Sequence, residues 1–133
     1  IYILTMTLKE FFTRTSSVCI MSSVHAEATT EDNILYASSK SALSGLVKGL
    51  TATFKNSFSI FEIILGAMDS PMLFNSISEN QLKELQNKLP SGKVLSTSDV
   101  ANLSIDLINN YSEILHGSTI KLDNGILSLL ASK

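Results

Sequence analysis

The chain has no tryptophan, only two prolines, and one cysteine, Cys19. A single cysteine excludes an internal disulfide and fits a reducing compartment such as the cytoplasm. The six glycines are scattered, and nowhere do they form the glycine-rich strand-turn-helix that cradles a dinucleotide pyrophosphate. Long apolar runs are also missing. The longest, near residues 1–8 and 60–65, fall far short of the roughly 18 to 20 residues that span a bilayer, so no membrane role is expected. No charged leader with a cleavable apolar stretch opens the chain, and it does not begin with methionine, so it reads as a partial sequence. A net charge of −2 with dispersed lysines leaves no basic stripe and excludes a nucleic-acid partner. His25 and His116 stand far apart with no cysteine or carboxylate cluster beside either, so no metal is expected.

What is present supports one globular core: 133 residues, 44% of them hydrophobic. Helix and strand patterns alternate, with no repeat or linker to mark a domain boundary. An apolar opening helix through Phe12 stops at the polar Thr13-Arg14-Thr15-Ser16, and a strand over residues 17–22 follows. Cys19, set between Val18 and Ile20, reads as a small buried hydrophobe rather than a nucleophile. After a polar stretch over 24–35, Leu43, Leu46, Val47 and Leu50 recur at helical spacing across 36–54. Gly45 and Gly49 in that helix suggest close helix packing. Residues 58–64 form a β-branched and aromatic strand ended by Gly66, parallel to the first across a helical crossover. Glu62 inside it is anomalous, since a carboxylate in a strand buried on both faces needs a partner or must protonate.

Further on, Ser78 with Gln81 and Ser96 with Asp99 have the spacing of capping boxes, each opening a helix. A last strand over 118–122 closes at Asp123-Asn124-Gly125.

The constellation that carries chemistry is Tyr36-Ala37-Ser38-Ser39-Lys40, with Ser23 thirteen positions upstream. On a helix Tyr36 and Lys40 share one face, so an ammonium near the phenol oxygen favours its ionised form. Ser23, at a strand's end, can donate a second hydrogen bond to the same substrate oxygen. Together they can move a proton to or from a carbinol oxygen. His25, two residues beyond Ser23, is a candidate substrate contact, with a solvated loop histidine as the alternative.

These residues resemble the C-terminal half of the short-chain dehydrogenase/reductase family. Ile20-Met21-Ser22-Ser23 is similar to the family's strand ending in the catalytic serine, and the stretch from Tyr36 to Leu43 to its active-site helix. Leu65-Gly66-Ala67-Met68-Asp69-Ser70-Pro71-Met72 resembles the Pro-Gly-x-x-x-Thr-Pro segment that touches the nicotinamide, with Leu65 in place of the proline. Ser96 to Ala101 is similar to the start of the next helix, and Gly117 to Gly125 to the last strand and its turn; Phe61 stands where the family has asparagine.

The resemblance implies an α/β fold, a partial doubly wound, Rossmann-like parallel sheet made of late strands with flanking helices. Residues 1–133 would be the C-terminal portion of one such domain, with the glycine-rich half upstream. It implies NAD(P)-dependent interconversion of an alcohol and a ketone or aldehyde in the complete domain. Tyr36 would be the general acid/base, Lys40 its electrostatic partner and a holder of the nicotinamide ribose, and Ser23 the substrate-orienting hydroxyl. Gly66, Met68 and Ser70 would border the nicotinamide of NAD or NADP; His25, Met72 and Leu73 would face a small carbonyl or alcohol substrate. A homodimer or homotetramer through the opening helix and the Tyr36 helix is implied as well. The competing reading is a truncated, catalytically inactive remnant acting as an interaction or oligomerisation module. A hydrolase ranks lower, because no Gly-x-Ser-x-Gly elbow is present.

Overall fold

The structure is a computed structural model describing residues 1–131, so the last two residues of the expected 1–133 unit lie outside the described residues. Its sheet has three parallel strands, β1 (Ser17–Ser23), β2 (Ser59–Leu65) and β3 (Thr119–Leu122), in the order β1-β2-β3. Every residue of β2 is buried. A strand with a neighbour on each edge and a helix on each face has no solvent side, which is why its sequence runs apolar without alternating. Register places Ser17 opposite Ser59 and Ser23 opposite Leu65, so β1 and β2 end level.

The 20-residue helix α2 (Ile34–Thr53) makes the crossover from β1 to β2 and lies on one face of the sheet. Val47 and Leu50 from α2 pack there on Ile20, Phe58 and Ile60. Helix α5 (Thr97–Tyr111) covers the other face, where Val100, Leu107 and Ile108 meet Phe61, Ile63 and Leu65. The opening helix α1 (Tyr2–Leu8) leaves Ile3 and Leu4 exposed. Phe12, just beyond it, stacks edge-on against Phe58 at 4.5 Å and so ties the opening segment to the first core cluster.

The polar stretch after β1 holds two single turns of 3-10 helix, Val24–Ala26 and Glu31–Asn33, and α2 begins two residues ahead of Tyr36. Two six-residue helices, α3 (Pro71–Ser76) and α6 (Ile126–Ala131), are too short to show a period in sequence. Helix α4 (Glu79–Lys88) opens on the full capping box expected at Ser78 and Gln81. At α5 the Ser96 hydroxyl accepts from Asp99 N–H as expected, and Asp69 Oδ1 supplies a second contact by accepting from Thr97 N–H at 2.6 Å.

Gly45 and Gly49 depart from expectation. Both are exposed, and a Cβ on either would meet nothing within 4 Å, so they mark no close packing inside this chain. Gly66 is the glycine that close packing demands. Its N–H donates to the Leu122 carbonyl at 2.8 Å, and a Cβ there would lie 2.9 Å from the Asp123 Cα.

Two outcomes follow from this packing. Gly66→Ala must push the end of β2 away from the turn after β3, and should lower unfolding stability by about 1–3 kcal/mol in chemical denaturation. Burial pushes the Cys19 thiol up from the usual 9.0 to about 11, so little thiolate exists near neutrality. Alkylation of Cys19 at pH 8 should therefore run about tenfold or more slower than that of a small exposed thiol, and accelerate as pH rises toward the shifted value.

Candidate active site

All the expected site residues lie at or beyond the carboxyl ends of β1 and β2, the end where open parallel sheets carry their ligands. Ser23 closes β1 and is buried. Its hydroxyl accepts the His25 N–H at 3.3 Å, which caps the turn Val24–Ala26 and leaves the hydroxyl proton free to donate elsewhere. That turn brings the His25 ring edge-on to the Tyr36 ring, with centroids 5.7 Å apart. His25 Nδ1 pairs with Thr29 Oγ1 at 3.3 Å.

Tyr36 sits in the first turn of α2 and is 38% exposed, open to a ligand. One turn further, Lys40 holds its ammonium 5.7 Å from the Tyr36 ring centroid. The same Nζ donates to the Met21 carbonyl at 3.2 Å. Ser59 N–H bonds the Ser16 carbonyl, so by alternation the Met21 carbonyl faces the open edge of β1 rather than β2. Two hydroxyls dock this part of α2 against the end of β1. Ser22 Oγ donates to the Lys40 carbonyl at 3.4 Å, and Ser41 Oγ to the Ala26 carbonyl at 2.8 Å.

The segment after β2 is held just as firmly. Leu95 N–H donates to the Ala67 carbonyl at 2.8 Å and Asp69 N–H to the Leu95 carbonyl at 2.9 Å, forming a short parallel bridge at Met68. Ser70 Oγ accepts the Leu73 N–H and caps α3, with Pro71 in the first turn, where its missing N–H costs nothing. Met72 is 75% exposed and Leu73 half-buried on that helix. Ser23, His25, Tyr36 and Lys40 thus form one corner, and Gly66, Met68 and Ser70 trail from the neighbouring strand end. Among the described residues no hydrogen bond joins the two groups.

Two cavities lie near this end. One of about 330 Å³ is bounded by the 25–29 stretch and by Ala37, Ser38 and Ser41 of α2. The other, of about 360 Å³, lies between the start of α5 and the end of β3, beside Lys93, Leu95 and Asp123. Tyr36 and Lys40 line neither.

Several polar partners had no sequence signal. Lys121 Nζ, on β3, reaches Glu27 Oε2 at 2.6 Å. Glu62 is met by Ser44 and Thr119; its presence in an apolar run was visible, its partners were not.

The residues fit one end of a dinucleotide better than the other. A ribose and a nicotinamide can be met by Lys40, Tyr36 and the 66–70 segment. A pyrophosphate needs free backbone N–H groups at a helix start; at α3, α4 and α5 a serine, Ser70, Ser78 and Ser96, takes one N–H each, those of Leu73, Gln81 and Asp99.

Similarity to known proteins bears on the fold and the family. A family model described as enoyl-(acyl carrier protein) reductase matches residues 1–127. No curated protein sequence matches. A short chain dehydrogenase family protein from Francisella tularensis is 19% identical, with a TM-score of 0.85 over 94% of this chain and 56% of its own. A short-chain dehydrogenase/reductase from Serratia marcescens is 20% identical, with a TM-score of 0.84 over 94% of this chain and 51% of its own. A Beutenbergia cavernae chain, named for an NAD(P)-dependent gluconate 5-dehydrogenase and solved with NADP at low occupancy, is 16% identical at a TM-score of 0.84, covering 96% and 53%. The chain therefore spans about half the length of the solved structures it matches. At these identities the likeness speaks for the fold, whereas the family model spans nearly the whole chain, and on that match the chain belongs to the short-chain dehydrogenase/reductase family.

Proposed function

We propose that residues 1–133 are the C-terminal portion of one short-chain dehydrogenase/reductase domain. Joined to a segment bearing the glycine-rich turn, they would interconvert an alcohol and a ketone or aldehyde with NAD or NADP. The observation that carries this reading is the corner in which Tyr36 stands against His25, two residues beyond Ser23, with the Lys40 ammonium beside its ring.

In this reading Tyr36 takes the carbinol proton in oxidation and returns it in reduction, from a position exposed enough to reach a bound oxygen. Ser23, its lone pair already committed to the His25 N–H, turns its own proton toward that oxygen and orients it. Lys40 exchanges the Met21 carbonyl for the ribose of the cofactor and keeps its charge beside the phenol. The cofactor, when bound, supplies or accepts the hydride. Gly66, Met68 and Ser70 border its nicotinamide, and His25, Met72 and Leu73 face the substrate. Cytoplasmic operation agrees with a chain in which no helix among the described residues is long and apolar enough to cross a membrane.

Assembly belongs to the same proposal. Ile3 and Leu4 on α1 and Leu35 on α2 are exposed, and the open space over Gly45 and Gly49 lets another helix approach α2 closely. A homodimer or homotetramer through these helices covers that apolar surface. A second reading, an inactive remnant serving as an interaction or oligomerisation module, is favoured by the lack of a glycine-rich phosphate turn in these 133 residues.

Two measurements test the first reading. In the domain completed by its upstream segment, Tyr36→Phe keeps the ring and removes the titrating oxygen, so turnover should fall at least about a hundredfold while cofactor affinity changes far less. Lys40→Met should lower both. Wild-type turnover in Tyr36→Phe would sink the acid/base assignment. For the 133-residue chain alone, calorimetric titration with NADH or NADPH should show no saturable binding below about millimolar, the level of only ~4 kcal/mol; micromolar binding would contradict the partial-domain reading.

A further inference from the structure

We propose that Glu62 is a positioning residue for the proposed catalytic helix, setting the roll of α2 over the sheet through the Ser44 hydroxyl. The proposal rests on the reading of Tyr36 and Lys40 given above and goes beyond it, because nothing in that chemistry requires a carboxylate in the sheet.

Glu62 lies in the middle of β2 with no exposed surface, paired in register with Ile20 on β1 and Thr119 on β3. Among the described residues no basic side chain pairs with it. Two hydroxyls meet it instead. Ser44 Oγ lies 3.0 Å from one carboxylate oxygen and 2.9 Å from the other, and Thr119 Oγ1 donates to Oε2 at 3.3 Å. A buried carboxylate is costly unless hydrogen-bonded, so these contacts have one geometry that satisfies them and many that do not.

Ser44 is four residues after Lys40 and eight after Tyr36, one and two turns along the same side of α2. The apolar contacts of Val47 and Leu50 hold α2 down, but burial is non-directional and tolerates a small rotation about the helix axis. A carboxylate pinned by a helix hydroxyl does not. A roll of about 10° displaces a group roughly 6 Å off the axis by about 1 Å, a misplacement that can cost on the order of a hundredfold in rate. The Ser22 and Ser41 hydroxyls tether the same helix at Lys40 and Ser41, between Tyr36 and Ser44, so the Ser44 contact extends a line of polar anchors that begins beside Lys40.

The test compares Ser44→Ala, Ser44→Thr and Glu62→Gln in the completed domain, with the Tyr36 ring resonances assigned by their loss in Tyr36→Phe. Ser44→Ala should lower kcat at least about tenfold while the KM for cofactor changes less than about threefold, and should move the Tyr36 ring resonances. Ser44→Thr, which restores the hydroxyl, should return both toward wild type. Glu62→Gln keeps the volume but turns one of the two acceptor oxygens that Ser44 meets into an NH2 donor, so the bifurcated contact is lost and the same resonances should move; it decides the matter if Ser44→Ala does not fold. Thr119→Val removes the other hydroxyl without touching α2 and should leave Tyr36 in place. Unmoved Tyr36 resonances in a folded Ser44→Ala or Glu62→Gln protein, or wild-type kcat in either, overturn the proposal. If Tyr36→Phe keeps full turnover, the acid/base reading fails, and the resonances still report whether Glu62 and Ser44 set the helix.

Discussion

Burial of β2 on both faces and both edges is the constraint from which the rest of the structure follows. Ile60, Phe61, Ile63 and Ile64 are almost wholly removed from solvent, and each such side chain contributes roughly 1.5–3 kcal/mol relative to exposure. That gain exists only if α2 closes one face and α5 the other, and only if β1 and β3 take up the backbone groups along both edges. The strand beyond β2 is short, and His116 makes up the deficit: its Nδ1 accepts the Ile60 N–H at 3.2 Å, while Gly117 N–H returns to the Ile60 carbonyl at 2.7 Å. A positive φ of 80° at Gly117 lets the chain turn from that contact directly into β3.

The proposed chemistry inherits its geometry from this arrangement. Because Ser23 and Leu65 are level in register, the last residue of β1 and the Gly66 turn emerge side by side. The crossover helix starts near the same end, which brings Tyr36, in the first turn of α2, edge-on to His25 two residues beyond Ser23. A one-residue slip of β1 would turn Ser23 to the opposite face of the sheet.

Much of this was legible in the chain. Strands 17–22, 58–64 and 118–122 differ from the observed ones by a residue or so at their ends, because β-branched and aromatic runs bounded by turn residues are strong signals. The Ser78 box was legible for a similar reason: capping is local, decided by residues three apart. What escaped was non-local. Glu62 stood out as an anomaly, but Ser44 is 18 residues away and Thr119 is 57 away, and only the fold makes them neighbours. Gly45 and Gly49 misled for the opposite reason, since their i,i+4 spacing suggests close packing without saying whether the packing partner belongs to this chain. At α3, Ser70-Pro71 did spell a cap and a first turn, but six residues offer no periodicity to confirm it.

The site therefore divides along a physical line. Groups that act on the reacting oxygen need placement to within about an ångström, and rigid elements supply it here: a strand end for Ser23, a long helix for Tyr36 and Lys40, and the buried Glu62 pinning that helix to the sheet. Groups that hold a pyrophosphate need something different, a helix start whose N–H groups are left open to an anion. At α3, α4 and α5 a serine takes one N–H each, which stabilises each helix by about 1 kcal/mol. An N–H taken by a cap is one donor fewer for an anion at that helix start. In the proposed reading the nicotinamide end of the cofactor meets Tyr36, Lys40 and the 66–70 segment, and its phosphates fall to a glycine-rich turn that these residues do not contain.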